Sequence, residues 1–307
     1  MLVVFGSINI DMVFPVPRLP QAGDTLHADS GWNEVGGHGA NQAIAAARDG
    51  ATVRMVAAVA TDAVAETALR GLGRAGVLTR GVERLPGHTG RSSVCVQPDG
   101  HTIVVTDRGA NRQARADQVK DRWLGPGRTL LLQMDTDADE NARLVDRARR
   151  RGTRVVLNLS PRAPIATDAL RAVDVLVGNG PDLAWLGEHL GTGNNPASLR
   201  SALGVTTVRM LGVQGSEAAW EEGYVRVPAM PVSMRDTTAA ADCFVGVLAA
   251  ALDRRAPLPD ALRRATVAAA LSVEHVGTGR TMPRKRDIDA AMPHAPEAST
   301  RQPEVLD

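Results

Sequence analysis

The sequence predicts an α/β fold with a mainly parallel central sheet, helices on both of its faces, and a small antiparallel β lid. Continuous apolar runs alternate with amphipathic helical stretches through most of the 307 residues, an order typical of parallel sheets buried on both faces. Apolar residues make up 44% of the chain, which is enough for a substantial core. Ligands of such folds bind where the parallel strands end, so candidate site residues are expected there.

The buried strands are predicted from runs of aliphatic residues. These runs cover residues 2–8, 53–60, 129–134, 155–159, 173–177 and 208–211. Helices are predicted where apolar residues recur every three or four positions. These stretches cover residues 40–48, 63–75, 140–151, 182–190 and 198–203, and a more apolar helix covers 243–252.

The lid is predicted from two segments, 24–35 and 90–106, in which polar and apolar residues partly alternate. The turn Pro98-Asp99-Gly100 divides the second segment into two strands. With their flanks, the lid segments cover about 12–35 and 88–108. Because the edges of a small exposed sheet can pair with another chain, we expect a homodimer formed through the lid.

A single domain is expected over residues 1–290, since the alternation of strands and helices continues almost to that point. Beyond it the chain becomes charged and then rich in proline and alanine. Residues 291–307 are therefore predicted to form a flexible C-terminal tail.

The composition argues against binding to nucleic acid or to a membrane surface. The net charge is +1, and no stretch concentrates positive charge beyond Arg147 to Arg154, which is interpreted as a solvated helix end. Lys120 and Lys285 are the only lysines, so nearly all positive charge is arginine. No apolar run approaches transmembrane length, and the chain begins as a strand rather than as a signal segment. The two cysteines, Cys95 and Cys243, are too few for a disulfide framework. We expect a soluble cytoplasmic protein.

The segment from Asp236 to Asp242 predicts an anion site with a carboxylate beside it. Its residues Ala239, Ala240 and Ala241 are small and lead directly into the apolar helix. The first backbone N–H groups of a helix have no intrahelical partners and lie at the positive end of the helix dipole, so they can bind an anion. Asp242 could orient or deprotonate a hydroxyl that attacks a bound phosphoryl group. This combination predicts phosphoryl transfer.

Two polar motifs near the N-terminus predict a site for a polyhydroxylated ligand. Residues 36–42, with the sequence Gly-Gly-His-Gly-Ala-Asn-Gln, precede a helix. Paired glycines allow close backbone approach, and Asn41 can both donate and accept hydrogen bonds. Asn9 and Asp11 follow the first strand and, two residues apart, can point the same way toward neighbouring hydroxyls. A flexible helix-capping turn and simple turn formation are the alternative interpretations.

Other strand ends carry further candidates. Asp135 and Asn158 follow the third and fourth main strands, where they could serve the site or cap a loop. Asn179 and Asp182 follow the next strand, and either cap a helix or hold a metal-bound water near phosphates. The turn between Gly212 and Gly215 suits backbone contact with a nucleotide.

Several familiar patterns do not fit their context. The glycine pattern at 71–76 resembles a dinucleotide motif but ends a helical stretch. The sequence contains no Walker A lysine motif, and its histidines and cysteines lack metal-ligand spacing. His38 is therefore not predicted to be a metal ligand.

Taken in order, these motifs resemble those of the ribokinase-like, or PfkB-type, sugar kinases. The motifs are Gly-Ser-Ile-Asn-Ile-Asp at 6–11, Gly-Asp-Thr-Leu at 23–26, Gly-Gly-His-Gly-Ala-Asn-Gln-Ala at 36–43 and Asp-Thr-Thr-Ala-Ala-Ala-Asp at 236–242. The resemblance covers nearly the whole chain. It implies ATP-dependent phosphorylation of a sugar hydroxyl with Mg²⁺, often with a monovalent cation such as K⁺.

The resemblance also implies a role for each matching residue. The sugar would be bound by Asn9, Asp11, Gly37, His38, Asn41 and Asp135. Asp242 would be the general base, and the anion hole would be formed by the amides of Ala240, Ala241 and Asp242. Asn179 and Asp182 would lie near the metal and the phosphates, with Gly212, Gly215 and Gly277 along the nucleotide. The monovalent cation would be bound near Asp236, Thr238 and Thr281.

Ribose is the first expected substrate, since the Asn9 and Asp11 pair suits a sugar and the lid has few aromatic residues to stack a nucleobase. Another sugar or a nucleoside is the alternative, and so is a protein that binds sugar without efficient catalysis.

Four residues depart from the family pattern: His38 replaces a lysine, Ala241 a glycine, Asp182 a glutamate and Met210 a threonine. His38 is expected to be largely neutral at pH 7 if its pKa is unperturbed. Ala241 would cost about 1 kcal/mol if the backbone there required positive φ. Altered substrate choice or weak catalysis would follow.

Overall fold

The computed structural model describes residues 1–301, which form a large sheet with helices on both faces and a smaller sheet beside it. The strands are β1 (Leu2–Phe5), β2 (Asn9–Pro15), β3 (Trp32–Gly36), β4 (Val53–Ala60), β5 (Leu78–Leu85), β6 (Gly90–Val96), β7 (Thr102–Asp107), β8 (Thr129–Leu132), β9 (Arg154–Asn158), β10 (Val175–Asn179), β11 (Thr206–Met210), β12 (Ser216–Trp220), β13 (Gly223–Val227) and β14 (Ser299–Arg301). The α-helices are α1 (His38–Arg48), α2 (Ala63–Arg74), α3 (Ala138–Arg150), α4 (Thr167–Leu170), α5 (Gly180–Leu190), α6 (Pro196–Leu203), α7 (Ala240–Asp253), α8 (Leu258–Ser272) and α9 (Lys285–Ala291).

The central sheet has ten strands in the order β14-β13-β12-β11-β10-β9-β8-β1-β4-β5. From β11 to β5 the strands are parallel, whereas β12, β13 and β14 pair antiparallel at one edge. The predicted fold class is thereby confirmed. Each predicted main strand lies within about three residues of its observed bounds.

The core lies on both faces of this sheet. Along β1, Leu2 and Val4 pack into one apolar cluster with α1, α7 and α8, whereas Val3 and Phe5 pack into the other with α3 and α5. All four side chains are fully buried. Because alternate residues of a strand point to opposite faces, a strand covered on both sides must be apolar throughout, and this is why the continuous runs predict the sheet correctly.

The second sheet forms the lid and has the order β3-β2-β6-β7. Its outer pairs, β2 with β3 and β6 with β7, are antiparallel, and its central pair, β2 with β6, is parallel. The sequence analysis places the first lid strand within 24–35, but only the end of that segment, β3, is a strand. The segment directly after β1 supplies the other strand, β2, so Asn9 and Asp11 belong to the lid itself.

The C-terminal segment differs from the predicted flexible tail of 291–307. Residues Met292–His294 form a 3₁₀ turn, and β14 pairs antiparallel with β13. Between them, the Arg263 side chain donates hydrogen bonds to the carbonyl oxygens of Met292, Ala295 and Pro296. These contacts satisfy backbone acceptors that a free tail would leave to water. The prediction for 302–307 lies outside the described residues.

Among the described residues, no helix is both long enough and apolar enough to cross a membrane. The longest, α8, has 15 residues, which is short of the roughly 20 that a spanning helix needs.

The crossing of α1 and α7 is unusually close because α7 carries Gly246 at the contact. A Cβ at this position would lie 2.4 Å from the Gln42 carbonyl oxygen and 2.8 Å from the Ala45 Cβ. Only glycine permits this approach without displacement of one helix. Gly246 lies one turn after Asp242, so the close crossing also sets the position of the first turn of α7 against α1.

We predict that Gly246→Ala lowers the free energy of unfolding by about 1–3 kcal/mol, because the added methyl group overpacks the contact between the helices. Gly73→Ala is the matched control, since a Cβ at Gly73 in α2 has no heavy atom within 4 Å. We expect that control to leave stability unchanged or to raise it by up to about 1 kcal/mol. Urea denaturation of the two variants measures both values, and equal effects would contradict the assignment of a tight crossing.

Candidate active site

A cluster of polar side chains lies where the parallel strands β1 and β8 end, at the first turns of α1 and α7 and beside the smaller sheet; Ser7, His38 and Asp135 are joined by hydrogen bonds, as are Asn41, Gln42 and Asp242. The chain after β1 is fixed against α1, since Ala40 N donates to Ser7 O at 2.9 Å. Gly37 makes the turn into α1. Its φ is 88°, a positive value that favours glycine. A Cβ at Gly39 would lie 2.7 Å from Ser7 N. These close approaches place His38 within hydrogen-bond distance of Asp135 and Asn41 within hydrogen-bond distance of Asp242.

Asp242 is held by two amide side chains from α1. Asn41 Nδ2 donates to Asp242 Oδ2 at 3.0 Å, and Gln42 Nε2 donates to Asp242 Oδ1 at 2.9 Å. Gln42 is itself fixed, since its Oε1 accepts from Gln133 Nε2 at 2.7 Å. Burial raises the pKa of Asp242, while the charge of His38 and the two amides act in the opposite direction. The carboxylate is therefore fixed in orientation.

His38 pairs with Asp135 through Nδ1, which lies 2.9 Å from Asp135 Oδ2. Burial is the largest single influence on the pKa of His38 and lowers it. The negative charges of Asp135, Asp242 and Asp11, with the hydrogen bond to Asp135, outweigh that effect and raise the pKa to about 10. A neutral histidine was expected only for an unperturbed pKa, and that condition does not hold here. The raised pKa favours the positively charged form of His38 at pH 7.

Asp135 is anchored on several sides. Its Oδ2 also accepts from Ser7 Oγ at 2.8 Å, and its carbonyl oxygen accepts from the Arg108 guanidinium. Burial raises its pKa, but the charge and hydrogen bond of His38, with further help from Ser7 and Arg108, give a net lowering. The ion pair between His38 and Asp135 thus persists at neutral pH.

Asn9 and Asp11 lie side by side along β2 but have different surroundings. Both polar groups of the Asn9 amide have protein partners, since its Oδ1 accepts from Asn111 Nδ2 at 2.8 Å and its Nδ2 donates to Ser92 Oγ at 3.3 Å. Asp11 is also buried. Its burial and the charges of Glu34 and Asp242 raise its pKa to about 6, although Ser92 and the charge of His38 act in the opposite direction.

Two oxygens of this polar cluster, Asp11 Oδ1 and Asn41 Oδ1, are buried without a hydrogen-bond partner among residues 1–301. Gln133 Oε1, behind Gln42, is a third such atom. A buried acceptor without a donor costs about 1–3 kcal/mol. Because Asp11 Oδ1 and Asn41 Oδ1 are acceptors, a ligand that carries hydroxyl groups can satisfy them.

The first turn of α7 contains the three predicted anion-hole amides. The Ala240 N–H donates to Thr237 O at 3.2 Å, and Ala239 is the N-cap residue. Ala241 is exposed and lies within the helix, and Arg255 is the only non-glycine residue with positive φ in the described part of the chain. Ala241 therefore adopts an ordinary helical conformation, and the strain considered for a glycine replacement does not arise.

Hydrogen bonds to the backbone at residues 277–278 connect the residues predicted for a monovalent-cation site. Asp236 Oδ2 accepts from Gly277 N and its Oδ1 from Thr238 N, both at 2.9 Å. Thr281 Oγ1 donates to the carbonyl oxygens of Gly277 and Thr278. Asp236 is 5% exposed. The structure thus brings Asp236, Thr238, Thr281 and Gly277 together beside the start of α7.

Asn179 and Asp182 form a capping box at the start of α5. Asn179 Oδ1 accepts from Asp182 N at 2.8 Å, and Asp182 Oδ2 accepts from Asn179 N at 3.2 Å. The helix-capping interpretation is therefore confirmed. Asp182 Oδ1 lies 3.9 Å from Arg162 Nε, and burial raises the pKa of Asp182. The Gly212 to Gly215 turn follows β11 at the same edge of the sheet, with both glycines at positive φ.

Comparison with known proteins shows the family of the chain. The family model described as pfkB family carbohydrate kinase matches residues 1–285. The chain belongs to that family. It is accordingly an ATP-dependent carbohydrate kinase, and the resemblance inferred from the motifs is confirmed.

The relatives of this kinase span nearly its whole length. A ribokinase of Lactococcus lactis is 28% identical over 94% of this chain and 96% of its own. The structure of a ribokinase of Thermotoga maritima has a TM-score of 0.84 at 25% identity and covers 94% of this chain and 98% of its own. A ribokinase of Arabidopsis thaliana, complexed with ribose and ATP, has a TM-score of 0.83 at 27% identity and covers 95% of this chain and 98% of its own.

The kinase has no cluster of three or more histidine, cysteine, aspartate or glutamate side chains arranged to hold a metal ion within residues 1–301. Mg²⁺ in phosphoryl-transfer sites is commonly bound by one or two carboxylates together with substrate phosphates. The Asp182 carboxylate at the sheet edge fits that pattern, and buried Asp236 offers a carboxylate for a monovalent cation.

Sequence reasoning missed several residues that support the site. Gln42 belongs to the glycine-rich motif but had no assigned role, although it is one of the two anchors of Asp242. Asn111 and Arg108 come from the segment after the lid and fix Asn9 and Asp135. Glu34 joins the lid to the cation turn, since its carboxylate accepts from Thr278 N at 3.1 Å. Only Gln42 had a visible signal, namely its place beside Asn41.

We predict that the imidazole of His38 titrates near pH 10, because the surrounding carboxylates favour its charged form. Its folded-state pKa lies above the ordinary value of 6.5, so the charge stabilises the fold fully below about pH 6.5 and this contribution is lost as pH rises toward 10. Histidine ¹⁵N chemical shifts followed against pH measure the midpoint. Asp135→Asn should lower it, whereas a midpoint near 6.5 in the unchanged protein would contradict the assignment.

Proposed function

We propose that this kinase transfers the γ-phosphoryl group of ATP to a hydroxyl of a free sugar, with ribose as its first substrate. The observation that carries the proposal is the pair of unpartnered buried acceptors, Asp11 Oδ1 and Asn41 Oδ1, near the carboxylate of Asp242. A polyol supplies the hydroxyl donors that these atoms lack. The ribokinase names of the relatives support ribose among the polyols.

The sugar site comprises Asn9, Asp11, Gly37, His38, Asn41 and Asp135. Asp11 and Asn41 accept hydrogen bonds from sugar hydroxyls. His38 uses Nδ1 for Asp135, so its Nε2–H remains as a donor toward a sugar oxygen. Asn9, whose amide has protein partners on both sides, acts mainly by holding β2 and β6 in place around the sugar.

Asp242 is the general base of the proposed reaction. It takes the proton from the attacking hydroxyl as the new bond forms between that oxygen and the γ-phosphorus, while the bond to ADP breaks. Asn41 and Gln42 orient the carboxylate. The backbone amides of Ala240, Ala241 and Asp242, at the positive end of α7, stabilise the charge on the transferring group.

The nucleotide is proposed to lie along the strand ends from β10 to β11, with Asn179, Asp182, Gly212, Gly215 and Gly277 beside it. Asp182 would hold Mg²⁺, which supplies charge neutralisation at the phosphates when bound. Asp236, Thr238 and Thr281 would hold a monovalent cation such as K⁺. Since Asp236 also binds the backbone of Gly277, a cation there would order the turn next to α7.

A protein that binds sugar but transfers phosphate poorly is the alternative. Its motivation was the replacement of family residues by His38 and Ala241. The positive charge of His38 and the helical conformation of Ala241 weaken that case, and the retained, well-anchored Asp242 favours catalysis.

We predict that Asp242→Asn lowers kcat by about 10²–10⁴-fold, because an amide cannot accept the proton. Sugar affinity by calorimetry should change far less. Asp260→Asn is the matched control, since Asp260 is an exposed aspartate in the first turn of α8, and its kcat should not change. The measurement is ADP release over a panel of pentoses, hexoses and nucleosides.

The same panel separates the candidate functions. Highest kcat/KM for ribose supports the proposal, and a preference for another sugar or a nucleoside would replace only the substrate. If the unchanged protein binds sugar without releasing ADP, and Ala241→Gly restores turnover, the binding-protein alternative replaces the kinase.

We place the kinase in the cytoplasm, because both Cys95 and Cys243 are free thiols.

The lid is proposed to join two copies of the kinase. The strand β7 lies at the edge of the lid sheet. Its residues Val104 and Val105 are 49% and 68% exposed. An exposed apolar edge strand is a template for pairing with another chain.

We predict that Val105→Asp shifts the protein from dimer to monomer in sedimentation velocity, because the charge desolvates on pairing. Leu78→Asp is the control, since Leu78 is 43% exposed in β5 of the central sheet, and it should remain dimeric. An unchanged protein that sediments as a monomer would refute the lid dimer.

A further inference from the structure

A concave cavity lies at the amino ends of the central strands β8 and β9, whereas the candidate active site lies at the carboxyl ends of the parallel strands. Its volume is about 510 Å³, within the range of small-molecule sites. Five arginines line it, namely Arg128, Arg149, Arg154, Arg171 and Arg255. We propose that this cavity, called here the arginine pocket, binds a small anion that carries a phosphate group.

The positive charge of the arginine pocket exceeds the negative charge available to balance it. Asp174 and Asp253 are the acidic residues among its lining residues, and each has a partner for one carboxylate oxygen. Asp174 Oδ2 accepts from Val155 N at 2.6 Å, and Asp253 Oδ2 lies 2.9 Å from the amino group of Met1, whereas Asp253 Oδ1 is buried without a hydrogen-bond partner among residues 1–301. Arg171 lies 3.8 Å from Asp168, so four further guanidinium groups share the two lining carboxylates.

Two of the arginines are held in place by backbone carbonyls. Arg154 donates to Leu252 O at the end of α7, and Arg128 donates to Arg122 O. A guanidinium has five N–H donors, so one such contact fixes the group and leaves donors for a ligand. The pocket is therefore partly preorganised.

The guanidinium groups of Arg149 and Arg255 have no hydrogen-bonded or ion-paired partner among residues 1–301, whereas the backbone groups Arg149 O and Arg255 N are hydrogen-bonded. Arg255 is also the only non-glycine residue of that range with positive φ, at 63°. This conformation belongs to the end of α7, because Arg255 follows the C-cap residue Arg254 and the next N–H, of Ala256, donates to Ala251 O at 3.1 Å. Its Nη2 lies 3.1 Å from the position that a Cβ on Gly127 would occupy, so the side chain extends across the pocket rim.

Phosphate is the ligand chemistry that matches these groups. The planar guanidinium fork binds two phosphate oxygens at once, and several forks around one concave surface can surround a dianion. The shared chemistry is the phosphate dianion, whether free or as a phosphate ester. The cavity volume exceeds what a single ion needs, which favours an ester with a small organic part.

The arginine pocket is separate from the candidate active site. α7 has 14 residues, and at 1.5 Å per residue its ends are about 20 Å apart. Asp242 lies in its first turn and Asp253 at its last residue. An anion in the arginine pocket therefore does not compete with the transferring phosphoryl group.

Calorimetric titration of the full chain with inorganic phosphate and with glycerol 3-phosphate, at constant ionic strength, tests the proposal. The test variant combines Arg149→Gln with Arg255→Gly, because glycine accepts positive φ and relieves the backbone. Arg143→Gln is the control, since Arg143 lies on the same helix, α3, and is 65% exposed but does not line the pocket. We expect the double variant to weaken binding at least about tenfold and the control to change it less than about twofold.

Modification by phenylglyoxal, followed by mass spectrometry, gives a second readout that needs no variant. We expect the ligand to protect Arg149 and Arg255 but not Arg143. Tighter binding of glycerol 3-phosphate than of phosphate identifies an ester as the ligand, and the reverse order identifies the free ion. Equal affinity in all three proteins, no protection, or no binding of either probe at millimolar concentration would overturn the proposal.

Discussion

The contact of Asp242 with Asn41 and Gln42 is the interaction on which the site depends, because it joins two helices that the chain forms far apart. The contact requires α1 and α7 to cross closely, and Gly246 makes this crossing possible. Two amide donors then fix both carboxylate oxygens. The orientation of Asp242, the proposed base, thus depends on the packing of these two helices.

The balance between the charge of His38 and the charges of three aspartates also constrains the candidate active site. Burial of Asp11 and Asp242 raises the pKa of each carboxyl group, and Asp135 adds a third acidic group. The protonated His38 offsets part of this charge while the same carboxylates keep it protonated. The replacement of a lysine by histidine therefore preserves the charge at this position, although the charge now depends on its neighbours. A change at Asp135 would alter the protonation of His38 as well as its orientation.

The fold was predictable because aliphatic periodicity reports burial directly, and the main strands lie close to their predicted bounds. Asn41 and Asp242 were predicted as site residues because their residue types at helix starts indicate a site, and the structure brings the two side chains into contact. The charge of His38 was not predictable, since it depends on Asp135, 97 positions away. The structure of the C-terminal segment up to Arg301 was not predictable for a similar reason. Its composition is typical of a flexible tail, but hydrogen bonds from Arg263 hold it in place. In both cases the sequence-based prediction could not take account of contacts between residues far apart in the sequence.

The parallel pairing of β2 with β6 in the lid also has a consequence for the order of folding. A whole strand-helix-strand unit, β4, α2 and β5, lies between these two lid strands in the sequence. Closing so long a loop costs chain entropy before any lid contact forms. Because β4 pairs with β1 and β5 pairs with β4, the central sheet brings the ends of β1 and β5 near each other. We therefore expect the β2–β6 pair to form after the central sheet, with its register set by the core.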